Sequence, residues 1–307
     1  MQLLHLDGDV SPFFLRQLEF IQTKILEVPH KPLKFLTLVP ADMSADNAAE
    51  TIIYRTFDYV GSAKIVSDYA NDFPRADIYG FENSVKVKSL GASYGYSVQE
   101  IRRARRENLD LETRRARAAK DSIDRRMDKL GWFGNTKAKL QGFLKYPGTL
   151  QYIVPNGAYG GTNLKKMTVD EIIAVLNGMI SYVRTSTAGA EDVDTFVMTL
   201  GFYTYISGLR MPTVSDKTLL TWLRENFPTI KKWEWANELT GAGTNGSDMI
   251  IAYTRDPDKL NFQIPQTFEQ FAPQLKGLEY EVFCHARVGG VIMYRPMSCV
   301  WGEYSNT

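Results

Sequence analysis

The chain has 307 residues, with 36 Lys or Arg against 35 Asp or Glu, a formal net charge of +1, 44% apolar residues and 12% aromatic. That length buries a substantial core, the apolar content excludes a disordered chain, and the charge balance argues against a nucleic-acid binder resting on a strongly basic surface. Two cysteines and three histidines argue against a disulfide framework and a His-rich metal site; no membrane span or secretory signal is legible, so a reducing cytosol is the expected setting.

Residues 1–50 hold Phe13, Phe14, Leu18, Phe20, Ile21, Phe35 and Leu38 between Pro12, Pro29, Pro32 and Pro40. The pattern predicts an amphipathic helix over about 12–27 and extended chain elsewhere. A segment so punctuated suits an arm lying over another surface better than a unit with its own core. Phe13 and Phe14 are therefore candidate subunit contacts.

The stretches 51–60 and 81–90 are rich in β-branched and aromatic residues or alternate strictly, so both read as strands. The polar, aromatic-dotted stretch between them makes a long two-stranded ribbon with an extended tip. An isolated ribbon is marginal in water and needs a second surface. Arg55, Asp58, Tyr69, Phe73, Arg75 and Tyr79 are its candidate interface residues, with Phe57, Tyr59, Asp77 and Glu82 of the same character.

Ser97-Val98-Gln99-Glu100 is a capping-box pattern that opens a helix running to Arg106. Asn108-Leu109-Asp110 interrupts it, and Asp110 caps a second helix predicted to run to Leu130 and stop at Gly131. Ala116, Ala119, Ile123, Met127 and Leu130 fall at helical spacing and form one narrow apolar stripe. The arginines at 102, 103, 105, 106, 114, 115 and 117 admit three readings. They form a solvated face paired through Asp110–Arg114, Arg117–Asp121 and Asp121–Arg125, or they contact neighbouring subunits, or they meet packaged nucleic acid through its phosphates.

Residues 142–161 read as loop. Thr168-Val169-Asp170-Glu171 is a second capping box, opening a helix to about Thr185. A buried strand over 194–200, a helix over 202–209, a helix over 216–226 capped by Ser215, and a strand over 233–239 make a compact α+β unit. The rest is strand-dominated: 249–254 and 259–264 flank the turn Arg255-Asp256-Pro257-Asp258, and 279–294 and 297–301 follow. Gly289-Gly290 is either a hairpin turn or a close-packed point within one strand.

Gly91-Ala92-Ser93-Tyr94-Gly95 spells a nucleophile elbow, with His285 downstream as a hydrolase would require. Against it, the preceding strand alternates with lysines and the following helix carries arginines instead of an apolar face, so a small-residue turn feeding a helix is favoured. Gly241-Ala242-Gly243-Thr244-Asn245-Gly246 has the letters of a dinucleotide fingerprint, but a strand follows where a helix is needed, which favours a loop. Asn245-Gly246-Ser247 is also a glycosylation sequon in a chain that nothing routes to secretion. Cys284 and His285 are strand neighbours and point to opposite faces.

Five stretches together are similar to a known family: 95–101, Leu109-Asp110-Leu111-Glu112, 258–265, Gly277-Leu278-Glu279-Tyr280, and 284–292. Spread over 95–301, they resemble tailed-bacteriophage major capsid proteins of the Hong Kong 97 fold, in the branch near encapsulin shells. The resemblance implies an α+β fold with an N-terminal arm (1–50), an extended β-ribbon loop (51–96), a peripheral domain with a spine helix (97–150 and 255–307) and an axial domain (151–254). It implies a structural role in an icosahedral virion shell of hexamers and pentamers, assembled in the host cytoplasm, with no catalysis, cofactor, metal or membrane partner. Implied partners are further copies of the chain, packaged double-stranded DNA bound non-specifically, and portal, scaffold and decoration proteins. On that view Arg102, Arg106, Arg114 and Arg117 lie along the spine or face the lumen. An encapsulin-type compartment is the near alternative, and a serine hydrolase using Ser93 and His285 the alternative from another class.

Overall fold

The computed structural model describes residues 30–65, 74–107, 111–211 and 217–306. The chain from Leu33 onward forms one unit.

That unit opens with a short helix α1 (Phe35–Leu38) and strand β1 (Ala41–Asp42). Phe35, Leu38 and Val39 are buried. The Phe35 ring meets Phe262, Trp132 and Phe143 edge-on, with centroids 5.1, 5.3 and 6.4 Å away. Its backbone N–H donates to the Asp128 carboxylate at 2.9 Å. β1 runs parallel to β9 (Leu260–Gln263), which β13 (Gly290–Met293) flanks antiparallel. Residues 35–42 are therefore core and sheet, not the coreless arm that the sequence suggests. Pro40 fixes a tight path between α1 and β1 and does not detach the segment.

Two helices follow the ribbon, α2 (Val98–Glu107) and α3 (Leu111–Phe133). The predicted capping box is formed: the Ser97 N–H donates to Glu100 Oε2 at 3.0 Å and the Glu100 N–H to Ser97 Oγ at 3.2 Å. The predicted stripe on α3 is the buried one, with Ala119, Ile123, Met127 and Leu130 in the core and Ala116 packed against it. The helix does not stop at Gly131. It runs on to Phe133, and Gly134 at φ 66° ends it, with its N–H on the Leu130 carbonyl at 2.8 Å.

The stripe packs against β12 (Glu279–Val288), whose even-numbered side chains Val282, Cys284, Ala286 and Val288 are buried. β12 pairs antiparallel with β4 (Lys88–Ser97) on one side and with β10 (Gln266–Gln270) and β11 (Gln274–Lys276) on the other. Gly289 and Gly290 are not a hairpin turn, since β12 and β13 belong to different sheets. They mark a close-packed crossing: a side chain on Gly290, which sits at φ 76°, would stand 2.9 Å from the Gln141 carbonyl oxygen.

A five-stranded sheet in the order β5 (Leu150–Ile153), β14 (Cys299–Tyr304), β8 (Asp248–Tyr253), β6 (Thr195–Met198), β7 (Lys232–Trp235) separates two cores. Val197, Met249, Ile251 and Tyr253 face the core beneath α3. Phe196, Met198, Ile250 and Ala252 face a second core with α4 (Val169–Ser186), α5 (Leu200–Gly208) and α6 (Leu219–Asn226). Cover on both faces is why β6 and β8 are continuous apolar runs. The capping box of α4 is formed by Thr168 and Glu171. Thr218 caps α6, and Ser215 lies outside the described residues.

Glu191, in the loop after α4, ties this second core to the small sheet. Its carboxylate, 8% exposed, receives Lys259 Nζ at 2.5 Å and Arg295 Nη1 at 3.0 Å. Burial alone would raise its pKa; the two hydrogen bonds and positive charges outweigh it and hold the group below the ordinary carboxylate value.

Candidate assembly surfaces

The ribbon is β2 (Thr51–Val60) paired antiparallel with β3 (Asp77–Lys86). β3 starts four residues before the predicted second strand (81–90), and that prediction runs across a break at Val87, whose N–H donates to the Glu50 carbonyl at 2.9 Å. There the chain leaves its ribbon partner and joins β12 as β4. Alternation divides the ribbon into two faces. One carries Ile53, Arg55, Phe57 and Tyr59 opposite Ser84, Glu82, Gly80 and Ile78, and the other carries Ile52, Tyr54, Thr56, Asp58 and Val60 opposite Val85, Asn83, Phe81, Tyr79 and Asp77.

Only the root of the second face is held by the body. Val85 is buried, and the Tyr54 ring stands edge-on to Tyr294 at 5.2 Å. Burial, then the charge and hydrogen bond of the Tyr146 phenol, push the Tyr54 phenol up to about 12. Among the described residues, both faces are open beyond that root. Phe57 is 60% exposed, Tyr59 78%, Ile78 58% and Phe81 61%. Contiguous apolar surface of this kind marks an interaction site. Arg55 pairs with Glu82 at 3.1 Å, and Asp58 sits opposite Tyr79. An exposed pair such as Arg55–Glu82 contributes little to stability, about 0–1 kcal/mol. Arg75 is exposed at the near edge of the tip, while Phe13, Phe14, Tyr69 and Phe73 lie outside the described residues.

The sequence reading passed over Ile53, Ile78 and Phe81, which share the ribbon's open faces, and the tyrosine cluster at its root. Parity along the two strands was the available signal for the first group. Nothing local links Tyr54 to Tyr146 and Tyr294.

The second surface is the α2–α3 pair, where residues 98–133 hold eleven Arg or Lys against seven Asp or Glu. Arg115 reaches back to the capping box, with Nη2 on Glu100 Oε1 at 3.0 Å and Nη1 on the Gly95 carbonyl. Arg102, Arg114 and Arg117 are exposed, and Arg106 lies on α2 with its side chain outside the description. Arg115 is thus held by the fold, and on α3 the exposed Arg114 and Arg117 lie off the apolar stripe.

The elbow reading fails on geometry. Gly91 to Gly95 lie inside β4 and not at a strand-to-helix turn; Ser93 opposes Phe283 across the ladder and His285 opposes Gly91. Cys284 points the other way into the core, where burial raises its thiol pKa. Among the described residues, no three of His, Cys, Asp or Glu are grouped to hold a metal ion, and no helix is long and apolar enough to cross a membrane.

A ribbon open on both faces among the described residues, a long helix backed by a four-stranded sheet and a second core hung on a shared sheet define a shell-building protein of the Hong Kong 97 capsid type. The family model for the major capsid protein matches residues 61–304, and the chain belongs to that family. It is similar in fold to the capsid of Myoviridae Phage XM1, at 19% identity and a TM-score of 0.79 over 94% of this chain and 97% of that one. The capsid of a native GTA particle matches at 12% identity and a TM-score of 0.68, covering 98% and 99% of the two chains. A virus-like particle from Pyrococcus furiosus matches at 12% identity and a TM-score of 0.56, over 87% and 91%. No curated protein sequence matches the chain. Its function is the formation of a capsid shell, and self-association is therefore its work.

Proposed function

We propose that this chain assembles as hexamers and pentamers into the icosahedral shell of a virion, put together in the host cytoplasm around a double-stranded DNA genome. The observation that carries the reading is the ribbon, whose rings beyond Tyr54 are exposed among the described residues. Burial against sister copies stabilises such surface by roughly 25 cal/mol per Å². Many such contacts, each weak, make a closed shell persist while leaving assembly errors reversible.

Within this reading 51–96 is the extended loop, 97–150 with 255–307 the peripheral domain and 151–254 the axial domain. Two cores on opposite faces of one sheet support that division, and α1 with β1 joins the peripheral side, leaving a shorter arm than 1–50. Arg102, Arg106, Arg114 and Arg117 face the lumen and meet DNA through phosphates, without reading bases. Portal, scaffold and decoration proteins are further partners, and the role is structural, without cofactor.

The test is the nucleic-acid content of nuclease-treated particles, with Arg114→Glu/Arg117→Glu as the variant. Retained DNA that falls in the variant, in shells of unchanged size, supports the lumen assignment; unchanged DNA content refutes it. An encapsulin-type compartment, whose shell shares this fold, is the second reading. Particles holding a cargo protein and no DNA would establish it.

A further inference from the structure

The sequon letters Asn245-Gly246-Ser247 occupy a β-turn closed by the Ser247 N–H on the Thr244 carbonyl at 3.1 Å. Its central residues both have positive φ, 55° at Asn245 and 77° at Gly246, with ψ 28° at Asn245. That is the type I′ pattern. Both residues are exposed, and nothing lies within 4 Å of where a side chain on Gly246 would begin.

We propose that Asn245–Gly246 is a site of spontaneous deamidation, so that the protein ages chemically at this turn. The Gly246 backbone nitrogen loses its proton and attacks Asn245 Cγ. A C–N bond forms to the backbone, the bond from Cγ to the side-chain nitrogen breaks, and ammonia leaves with the proton. Water then opens the five-membered imide at either carbonyl, giving aspartate or isoaspartate. A following glycine favours the attack because no Cβ shields its nitrogen.

The observed ψ turns that nitrogen away from Cγ. Rotating the one peptide plane between the two residues converts type I′ to type II′, carrying ψ of Asn245 to about −120° and reversing the sign of φ at residue 246. In that state the nitrogen eclipses Cβ, within reach of Cγ. Glycine accepts both signs of φ, so the flip needs no movement of the flanking chain. The Gly246 carbonyl keeps its hydrogen bond from Asn306 Nδ2 at 3.3 Å throughout.

The chain contains two internal controls. In Asn156–Gly157 the glycine N–H is already given to the Gly161 carbonyl at 3.0 Å. Asn177–Gly178 lies inside α4, where helical hydrogen bonding holds the backbone. At residue 245 the product places a new carboxylate in a cleft of about 400 Å³ that Glu303 also lines. Glu303 there takes hydrogen bonds from Thr244 Oγ1 at 3.1 Å and Ser247 Oγ at 3.3 Å.

The experiment ages the full-length folded protein at mildly alkaline and mildly acid pH and maps peptides by mass spectrometry with isoaspartate detection. Asn245 should convert, faster at alkaline pH and with isoaspartate in excess, while Asn156 and Asn177 trail by about an order of magnitude. Asn245→Gln should abolish the signal. The proposal is overturned if Asn245 stays an amide over a period in which the unfolded chain converts, or if it converts no faster than the two controls.

Discussion

The Phe35 ring occupies the space in which a side chain on Gly131 would sit: a Cβ built there would stand 2.7 Å from Phe35 Cγ. A helix 23 residues long thus carries a glycine two residues before its end, not as a stop signal but as a seat for an aromatic ring from the start of the chain. Gly131→Ala should therefore destabilise the subunit by about 1–3 kcal/mol, although alanine is the better helix former. Phe35→Ala should cost about 3–5 kcal/mol. Denaturant melts of unassembled protein measure both, and a stabilising Gly131→Ala would contradict the packing described.

Truncation separates the arm from the core. Removal of residues 1–29 should leave a folded, soluble subunit that assembles poorly. Removal of 1–40 also takes out Phe35, Leu38 and Val39, all buried, and should abolish cooperative unfolding. Circular dichroism and sedimentation of the two truncations check this; a folded 41–307 fragment is the contrary outcome.

On the ribbon, Phe57→Ser with Tyr59→Ser should leave subunit stability within about 0.5 kcal/mol, as exposed substitutions do. Assembly, followed by light scattering, should fall sharply. Equal loss of stability and assembly would mean that the ribbon is part of the subunit's own core.

Glu191 gives a pH signature. Its folded-state carboxyl is held below the ordinary value of 4.5, so its contribution is fully present above about that pH and is lost as pH falls through the lowered value. Glu191→Gln should cost about 3 kcal/mol at neutral pH, the low end for a broken buried pair because Arg295 stays largely in water. The variant should also lose less stability than the parent between neutral pH and pH below 4.5. Parallel pH profiles for parent and variant would refute the linkage.

Legibility in the sequence followed locality. Both capping boxes, the narrow stripe on α3, the strand character of the ribbon and the buried character of β6 were readable because each depends on residues a few positions apart. The boundary of the arm was not, because Phe35 and Leu38 are buried against Trp132, Phe143 and Phe262, whose proximity no local pattern encodes. Gly131 misled for the same reason: a helix-terminating glycine and a ring-seating glycine are identical in sequence. The elbow letters around Ser93 matched by composition alone, since a Ser/Gly alternation suits the outward face of a strand as well as it suits a turn.

Sister subunits should shelter the ribbon rings beyond Tyr54. Electron microscopy of the purified, assembled protein tests this most directly. Closed shells in which Phe57, Tyr59 and Phe81 of each ribbon are covered by a neighbouring copy are the expected result. Monomers that stay unassembled, or shells in which each ribbon folds back over its own subunit, would contradict it.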